Sequence, residues 1–300
     1  MKWLPFVLLM ILLTGCGIDK EADNISSVDA ACTAPTDGQR QTLEPVALED
    51  TVLLHPLINP EEEDFVRVSD YIPNALIELK YCTSDNFTGE LIYEFEEAFL
   101  RYGTVLKLKA VAEELAGHGL SLKIWDGFRP VSAQFRLWEV CPDPAFVANP
   151  NRGYSNHSRG FAVDLTLVDE NGNELEMPTG FDDFSKKADR DYSDCTDAAR
   201  QNARLLEKTM EKHGFSGYQG EWWHFNDTRK YDVEICFDPG LISGIKVAND
   251  APVLKQYWDP HSELLTVPAG EYVTLLGYVE EFALIEYWGY RGYLSMDNLT

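Results

Sequence analysis

The run from Phe161 to Val168 reads Phe-Ala-Val-Asp-Leu-Thr-Leu-Val, an alternating apolar pattern with one aspartate, Asp164, at its centre. Alternation over this length predicts a strand, with Ala162, Asp164 and Thr166 on one face and Phe161, Val163, Leu165 and Leu167 on the other. A carboxylate in such a strand has to be paired, hydrogen-bonded or metal-bound, because burying it alone carries a large desolvation cost. Seven positions earlier stands His157, and further on Glu221-Trp-Trp-His224-Phe225 sets a glutamate three positions before a second histidine. Two imidazoles and one carboxylate are good zinc ligands and leave a fourth tetrahedral position for water. Glu221 beside them suits a general base, a role worth roughly 10²–10⁴-fold. Zinc in turn lowers the pKa of bound water to about 7. Gly160 and Ala162 keep the chain slim between these groups. A lone loop histidine is more often a surface residue, and Trp222 and Trp223 are more often core. Spacing alone therefore leaves both readings open.

The surrounding pattern is that of a mixed α/β body. Val105, Leu108, Val111, Ala112 and Leu115 fall at helical spacing within 103–117, which Gly117 and Gly119 end. A strand is predicted over 120–125, running into Asp126-Gly127-Phe128-Arg129-Pro130. Ser132 suits the cap of a helix through about Val140. A third helix is predicted over about 196–212, stopped at Gly214, and a strand over 221–226. Past Pro239-Gly240 the texture becomes short β-rich stretches with recurrent turn residues, which predicts a small all-β barrel over 241–300.

The amino terminus indicates the compartment. Behind Lys2, residues 3–13 are almost all apolar, which is too short to span a bilayer but suits an export signal. Leu13-Thr14-Gly15-Cys16 resembles a bacterial lipobox, so residues 1–15 read as a lipoprotein signal peptide and Cys16 as the lipidated residue. Residues 16–50 lack aromatics and are rich in Asp, Glu, Ser, Thr, Ala, Pro and Gly, the composition of a lipid-anchored tether. This organisation predicts an exported, membrane-anchored protein facing the periplasm or cell exterior. With 25 Lys plus Arg against 50 Asp plus Glu, a net charge of −25, the chain lacks the cationic footprint of a nucleic-acid binder. Cys82, Cys141, Cys195 and Cys236 show no zinc-site spacing, which leaves disulfides or buried thiols.

Five motifs in order resemble those of the D-alanyl-D-alanine dipeptidases, the zinc metallopeptidase family that includes the vancomycin-resistance dipeptidase. The family's Ser-x-His-x-x-Gly-x-Ala-x-Asp matches Ser155, His157, Gly160, Ala162 and Asp164; Glu-x-x-His matches Glu221 and His224. Trp-Asp-Gly-Tyr-Arg-Pro matches 125–130 with Phe128 for tyrosine. Asp-Asn-Phe-Thr-Gly matches 85–89, and Phe-Asp-x-Phe matches 181–184. The resemblance implies an α+β zinc D-Ala-D-Ala peptidase fold of the hedgehog/DD-peptidase type over 51–240. It implies one Zn²⁺ held by His157, Asp164 and His224, with Glu221 as general base and Arg129 stabilising the oxyanion. It places Ser155 at the substrate carboxylate and Asp182 at its ammonium, with D-Ala-D-Ala or related cell-wall peptides as substrates.

The turn-rich carboxy terminus is similar to bacterial SH3-like domains, a candidate contact to peptidoglycan. The export signal and this extra module depart from the resistance-type enzymes and favour digestion of wall peptides outside the inner membrane. They also keep two alternatives open: a zinc D,D- or L,D-carboxypeptidase or endopeptidase on stem peptides, and a non-catalytic wall-binding lipoprotein.

Overall fold

The computed structural model describes residues 54–144 and 146–300. The leader, Cys16 and the tether lie outside the described residues. From the amino terminus run β1 (Phe65–Arg67), α1 (Val68–Tyr71), β2 (Leu76–Ile77), β3 (Phe99–Arg101), α2 (Tyr102–Ala116) and β4 (Ser121–Asp126). Next come α3 (Val131–Val140), β5 (Ala162–Val168), α4 (Asp197–Lys212), β6 (Phe215–Tyr218) and β7 (Glu221–Asp227).

Five of these strands form one sheet in the order β2-β4-β5-β7-β6, with β2 parallel to β4 and every other pair antiparallel. β5 is central and buried along its whole length, on both faces, so its alternation separates two interiors and not core from solvent. α2 and α4 pack against each other and against this sheet. On β7, Asp227 faces α2: it accepts a hydrogen bond from Thr104 Oγ1 at 2.9 Å and pairs with Lys107. His224 and Asn226, of opposite parity along the strand, therefore look out from the other face.

Local signals explain most boundaries. α4 is capped by Thr196, whose hydroxyl accepts from the Ala199 amide at 3.1 Å. α3 departs from expectation: Pro130, with φ of −51°, occupies the cap, and Ser132 lies inside the helix. Proline's preset φ makes the entry and no hydroxyl is needed. Among the described residues no disulfide forms; the four cysteines are half-buried thiols, and Cys82 donates to the Leu79 carbonyl at 2.9 Å.

The carboxy-terminal region adds β8 (Ser243–Lys246), β9 (Ala251–Leu254), β10 (Glu263–Val267), β11 (Tyr272–Val279), β12 (Phe282–Tyr287) and β13 (Tyr290–Ser295). They form an antiparallel sheet ordered β10-β9-β13-β12-β11-β8 around Val253, Val267, Val273, Ile285 and Leu294. The expected barrel is not closed in this ladder, since no pairing joins β10 to β8 among the described residues. The β-rich, turn-punctuated character of the region was readable in the sequence; closure depends on how far the sheet coils, which turn residues do not encode. A separate apolar cluster, containing Phe65, Phe99, Phe128, Phe237, Leu276 and Leu284, joins this sheet to the rest of the body.

Gly160 follows the turn that carries His157 and has φ of +75°. A Cβ there would lie 2.4 Å from the Phe65 ring. Left-handed backbone costs a non-glycine residue about 1–2 kcal/mol and overpacking about 1–3 kcal/mol more. Gly160→Ala is therefore expected to lower unfolding free energy by about 2–5 kcal/mol, read as a fall in urea midpoint at unchanged m-value.

Candidate active site

Three neighbouring strands and one short turn assemble the site. Strand register sets Asp126 at the end of β4 opposite Asp164 in β5, and Asp164 opposite His224 in β7. The three side chains thus make a row across the sheet face turned away from α2. His157 joins the row from the 3-10 turn His157–Arg159, which Gly160 closes just before β5.

One ligating atom from each of His157, Asp164 and His224 lies within 4.8 Å of the other two. His157 Nε2 is 3.4 Å from Asp164 Oδ2 and 3.2 Å from His224 Nδ1, and His224 Nδ1 is 2.9 Å from Asp164 Oδ1. The outer nitrogens are tied down. His157 Nδ1 donates to the Gly127 carbonyl at 2.8 Å, which leaves the Nε2 lone pair for the site. His224 Nε2 donates to Asn226 Oδ1 at 3.2 Å, which leaves Nδ1. Asn226 Oδ1 also accepts from Asn156 Nδ2 at 2.8 Å, so one amide joins the two histidine-bearing segments. Two oriented imidazoles and a carboxylate are a donor set that fits zinc.

The local electrostatics follow from burial. Burial opposes ionisation of Asp164, yet the facing His157 and His224 overcome it and hold the carboxyl far below the usual range. Burial likewise pulls His224 down, but the hydrogen bond and charge of Asp164 raise it overall. Glu221, at the start of β7, is raised chiefly by burial, against the pull of His224, whose Nδ1 lies 4.0 Å from it. A carboxylate raised in this way is a better proton acceptor.

Arg129 points into the same space. Its Nε and Nη2 donate to Asp126 Oδ2, the former at 3.1 Å, and Nη1 donates to Gln134 Oε1 at 2.9 Å. The guanidinium carbon stands 4.8 Å from the Tyr81 ring centre. Burial works against the charge, but Asp126 more than compensates and keeps the guanidinium firmly protonated. Asp126 also accepts from the Tyr93 hydroxyl at 2.9 Å and the Gly127 amide at 3.0 Å.

A cavity of about 290 Å³ is lined by all seven residues singled out in the sequence: Arg129, Ser155, His157, Asp164, Asp182, Glu221 and His224. The Ser155 hydroxyl oxygen accepts from the His157 amide at 3.2 Å, so its own hydrogen remains to donate. Asp182 has φ of +54°, accepts from the Tyr81 hydroxyl at 2.9 Å, and is raised well above the usual carboxylate range, first by burial and then by the charge of Asp164. Trp222 and Trp223 are core residues at 1% exposure, as the plainer reading of them held, although Trp223 also borders the cavity. Sequence reasoning missed Tyr81, Asp126, Gln134 and Asn226. Only Asp126 carried a usable signal: like Asp164, it is a carboxylate in an apolar run.

The D-ala-D-ala dipeptidase family matches residues 61–236 of the chain. A D-alanyl-D-alanine dipeptidase of Escherichia coli (strain K12) is 41% identical over 162 residues, which cover 54% of this chain and 83% of that protein. One from Enterococcus faecalis (strain ATCC 700802 / V583) is 32% identical over 184 residues, 55% of this chain and 91% of that protein. Among solved structures, a vancomycin-resistance D,D-pentapeptidase in complex with Zn(II) aligns at 16% identity over 46% of this chain and 77% of that one, with a TM-score of 0.31.

The amide of Asn226 fixes which nitrogen His224 presents. Asn226→Ala is expected to weaken zinc affinity by about 10–100-fold, while Asn226→Asp, which keeps both acceptor contacts, stays near the parent. Competition with a chromophoric chelator checks both.

Proposed function

This chain belongs to the D-ala-D-ala dipeptidase family, and we propose that it hydrolyses the dipeptide D-Ala-D-Ala with one bound zinc ion. The observation that carries the reading is the convergence of the His157–Asp164–His224 triad, Glu221 and Arg129 on one small cavity. At about 290 Å³ it lies at the bottom of the roughly 300–1,000 Å³ range of ligand pockets, a size that suits a small substrate.

His157 through Nε2, His224 through Nδ1 and Asp164 through its carboxylate would hold the ion. When bound there, zinc supplies a Lewis acid and makes water nucleophilic at neutral pH. Glu221 takes the proton that water loses on attacking the peptide carbonyl and passes it to the departing amine. Arg129 directs the N–H groups not engaged by Asp126 and Gln134 at the oxyanion that develops as the carbonyl is attacked. Its salt bridge prevents the fork from swinging, so stabilisation needs little reorganisation. Asp182, whose carboxyl burial pushes well above the usual range, meets the substrate ammonium, and Ser155 donates to the substrate carboxylate. Recognition of both free termini discriminates against longer peptides, which would leave one buried partner unmatched.

Two further assignments belong to the proposal. Residues 241–300 are an SH3-like module appended to a peptidase domain of 51–240, a reading supported by the short strands and tight turns of β8–β13. Export and lipid anchoring at Cys16 are supported by the leader and its lipobox, and place the substrate among peptides released from the cell wall. Among the described residues no helix is long and apolar enough to cross a membrane.

Zinc-loaded chain is expected to cleave free D-Ala-D-Ala and to leave a pentapeptide stem intact; cleavage of only the longer substrate would reassign it as a carboxypeptidase or endopeptidase. Peptidoglycan pull-down without any hydrolysis would instead favour a wall-binding role. Glu221→Gln is expected to lower kcat by about 10²–10⁴-fold while retaining one zinc per chain by metal analysis; loss of zinc would contradict the base assignment. Cys16→Ser is expected to move the protein from the membrane pellet to the soluble fraction, measured by fractionation of expressing cells.

A further inference from the structure

The segment that carries Arg129 has two sides. Arg129 turns toward the cavity with Asp126 bound behind it, whereas Phe128 between them turns away and is 1% exposed. Its amide donates to the Phe99 carbonyl at 2.8 Å, and the next amide, of Arg129, donates to the His157 carbonyl at 3.3 Å. The Phe128 ring meets Phe65 at 4.4 Å and Phe237 at 5.6 Å between centroids. Phe237 also stacks on Phe65 at 5.0 Å and meets Phe99 edge-on at 5.1 Å.

Phe237 is the first residue beyond the family-matched segment. It belongs mechanically to the carboxy-terminal sheet. It bridges Gly277 of β11, and the adjacent Asp238 amide donates to the Leu276 carbonyl at 2.8 Å. The approach is so close that a Cβ on Gly277 would fall 1.7 Å from the Cys236 carbonyl oxygen. Leu276 and Leu284 of the sheet complete the cluster around Phe237. The seat under Phe128 is therefore shared between Phe65 of the body and Phe237, and the Phe237 side of it cannot slide independently of β11.

We propose that the carboxy-terminal sheet acts through Phe237 as a buttress that sets the position of the Gly127–Arg129 segment, which makes Phe237 a positioning residue for the reaction. A shift of Phe128 would carry two groups with it. The Gly127 carbonyl holds His157 Nδ1, and Arg129 faces the reacting carbonyl. Displacement of such groups by about 1 Å costs up to 10²-fold in rate. The proposal rests on the dipeptidase reading for its kinetic readout only.

In the full, zinc-loaded chain, Phe237→Ala is expected to lower kcat per bound zinc for D-Ala-D-Ala about tenfold, with KM within threefold of the parent. Phe237→Leu, which refills most of the volume, is expected to stay within threefold in kcat. A merely structural role would lower melting temperature and the folded fraction, and leave kcat per bound zinc alone. A loss below fivefold, a loss carried by KM, or an equal loss in Phe237→Leu overturns the proposal. Should Phe237→Ala not fold, Leu276→Val is read the same way at a twofold threshold. If the parent itself does not cleave D-Ala-D-Ala, the dipeptidase reading falls and zinc affinity decides the buttress. Phe237→Ala is then expected to bind zinc at least fivefold more weakly in chelator competition, and a smaller change overturns it.

Discussion

Two aspartates face each other across adjacent buried strands, Asp126 on β4 and Asp164 on β5. Like charges directly opposite repel, and the interior offers little water to screen them. The arrangement is tolerable only if each carboxylate has its own cationic or donor partners, and the rest of the site can be understood as that partition. Asp126 receives Arg129, the Tyr93 hydroxyl and the Gly127 amide. Asp164 receives the two imidazoles on its other side. The ion pair that satisfies Asp126 aims a guanidinium into the cavity, and the imidazoles that satisfy Asp164 form a divalent-ion site. Electrostatic necessity and the proposed chemistry thus share the same side chains.

The cavity wall extends this logic outward. Tyr81 lies beneath the Arg129 guanidinium and spends its hydroxyl on Asp182, so one ring connects both charged groups. The turn at 85–89 supports it: Asn86 binds three backbone carbonyls through its amide nitrogen, and Phe87 meets the Tyr81 ring edge-on. Asp182 sits in a left-handed conformation that costs an ordinary residue about 1–3 kcal/mol. Its sequence neighbours anchor the turn on either side: Phe181 packs on Tyr81 and Trp125, and Phe184 on Phe87 and Phe146.

How much of this was legible depended on whether a residue's environment is set locally. His157, Asp164, Glu221 and His224 stand out through strand alternation and short spacings, but it is the ordered motifs of the family resemblance that give them their roles. Asp126 meets the same test in the alternating run from Leu120 to Phe128. Asn226 and Tyr81 were not legible. Their partners, Asn156 and Asp182, lie 70 and 101 residues away, and an asparagine or tyrosine beside a motif looks the same whether or not a distant segment docks on it. Helix α4 falls over the predicted span ahead of its glycine stop, whereas α3 begins two residues earlier than a Ser132 cap would set it, because proline supplies the entry geometry. The carboxy-terminal region reads as short strands and turns, but closure into a barrel is a property of their coiling and does not follow from that pattern.

The motif over 125–130 shows why sequence likeness and the mechanical unit need not end together. Trp125 and Phe128 are buried on packed aromatic rings, while Asp126 binds Arg129, which faces the cavity. A six-residue segment therefore has one surface committed to chemistry and another committed to whatever lies beneath it. Here that underlying layer includes Phe237, Leu276 and Leu284, which lie beyond residue 236, where the family match stops. The chemical surface is accounted for within the matched segment; the apolar surface is only partly so, because Phe128 rests on Phe65 from inside the match and on Phe237 from beyond it. Any shift in that sheet's packing is transmitted to Arg129 through a ring 1% exposed, with no water layer to absorb it.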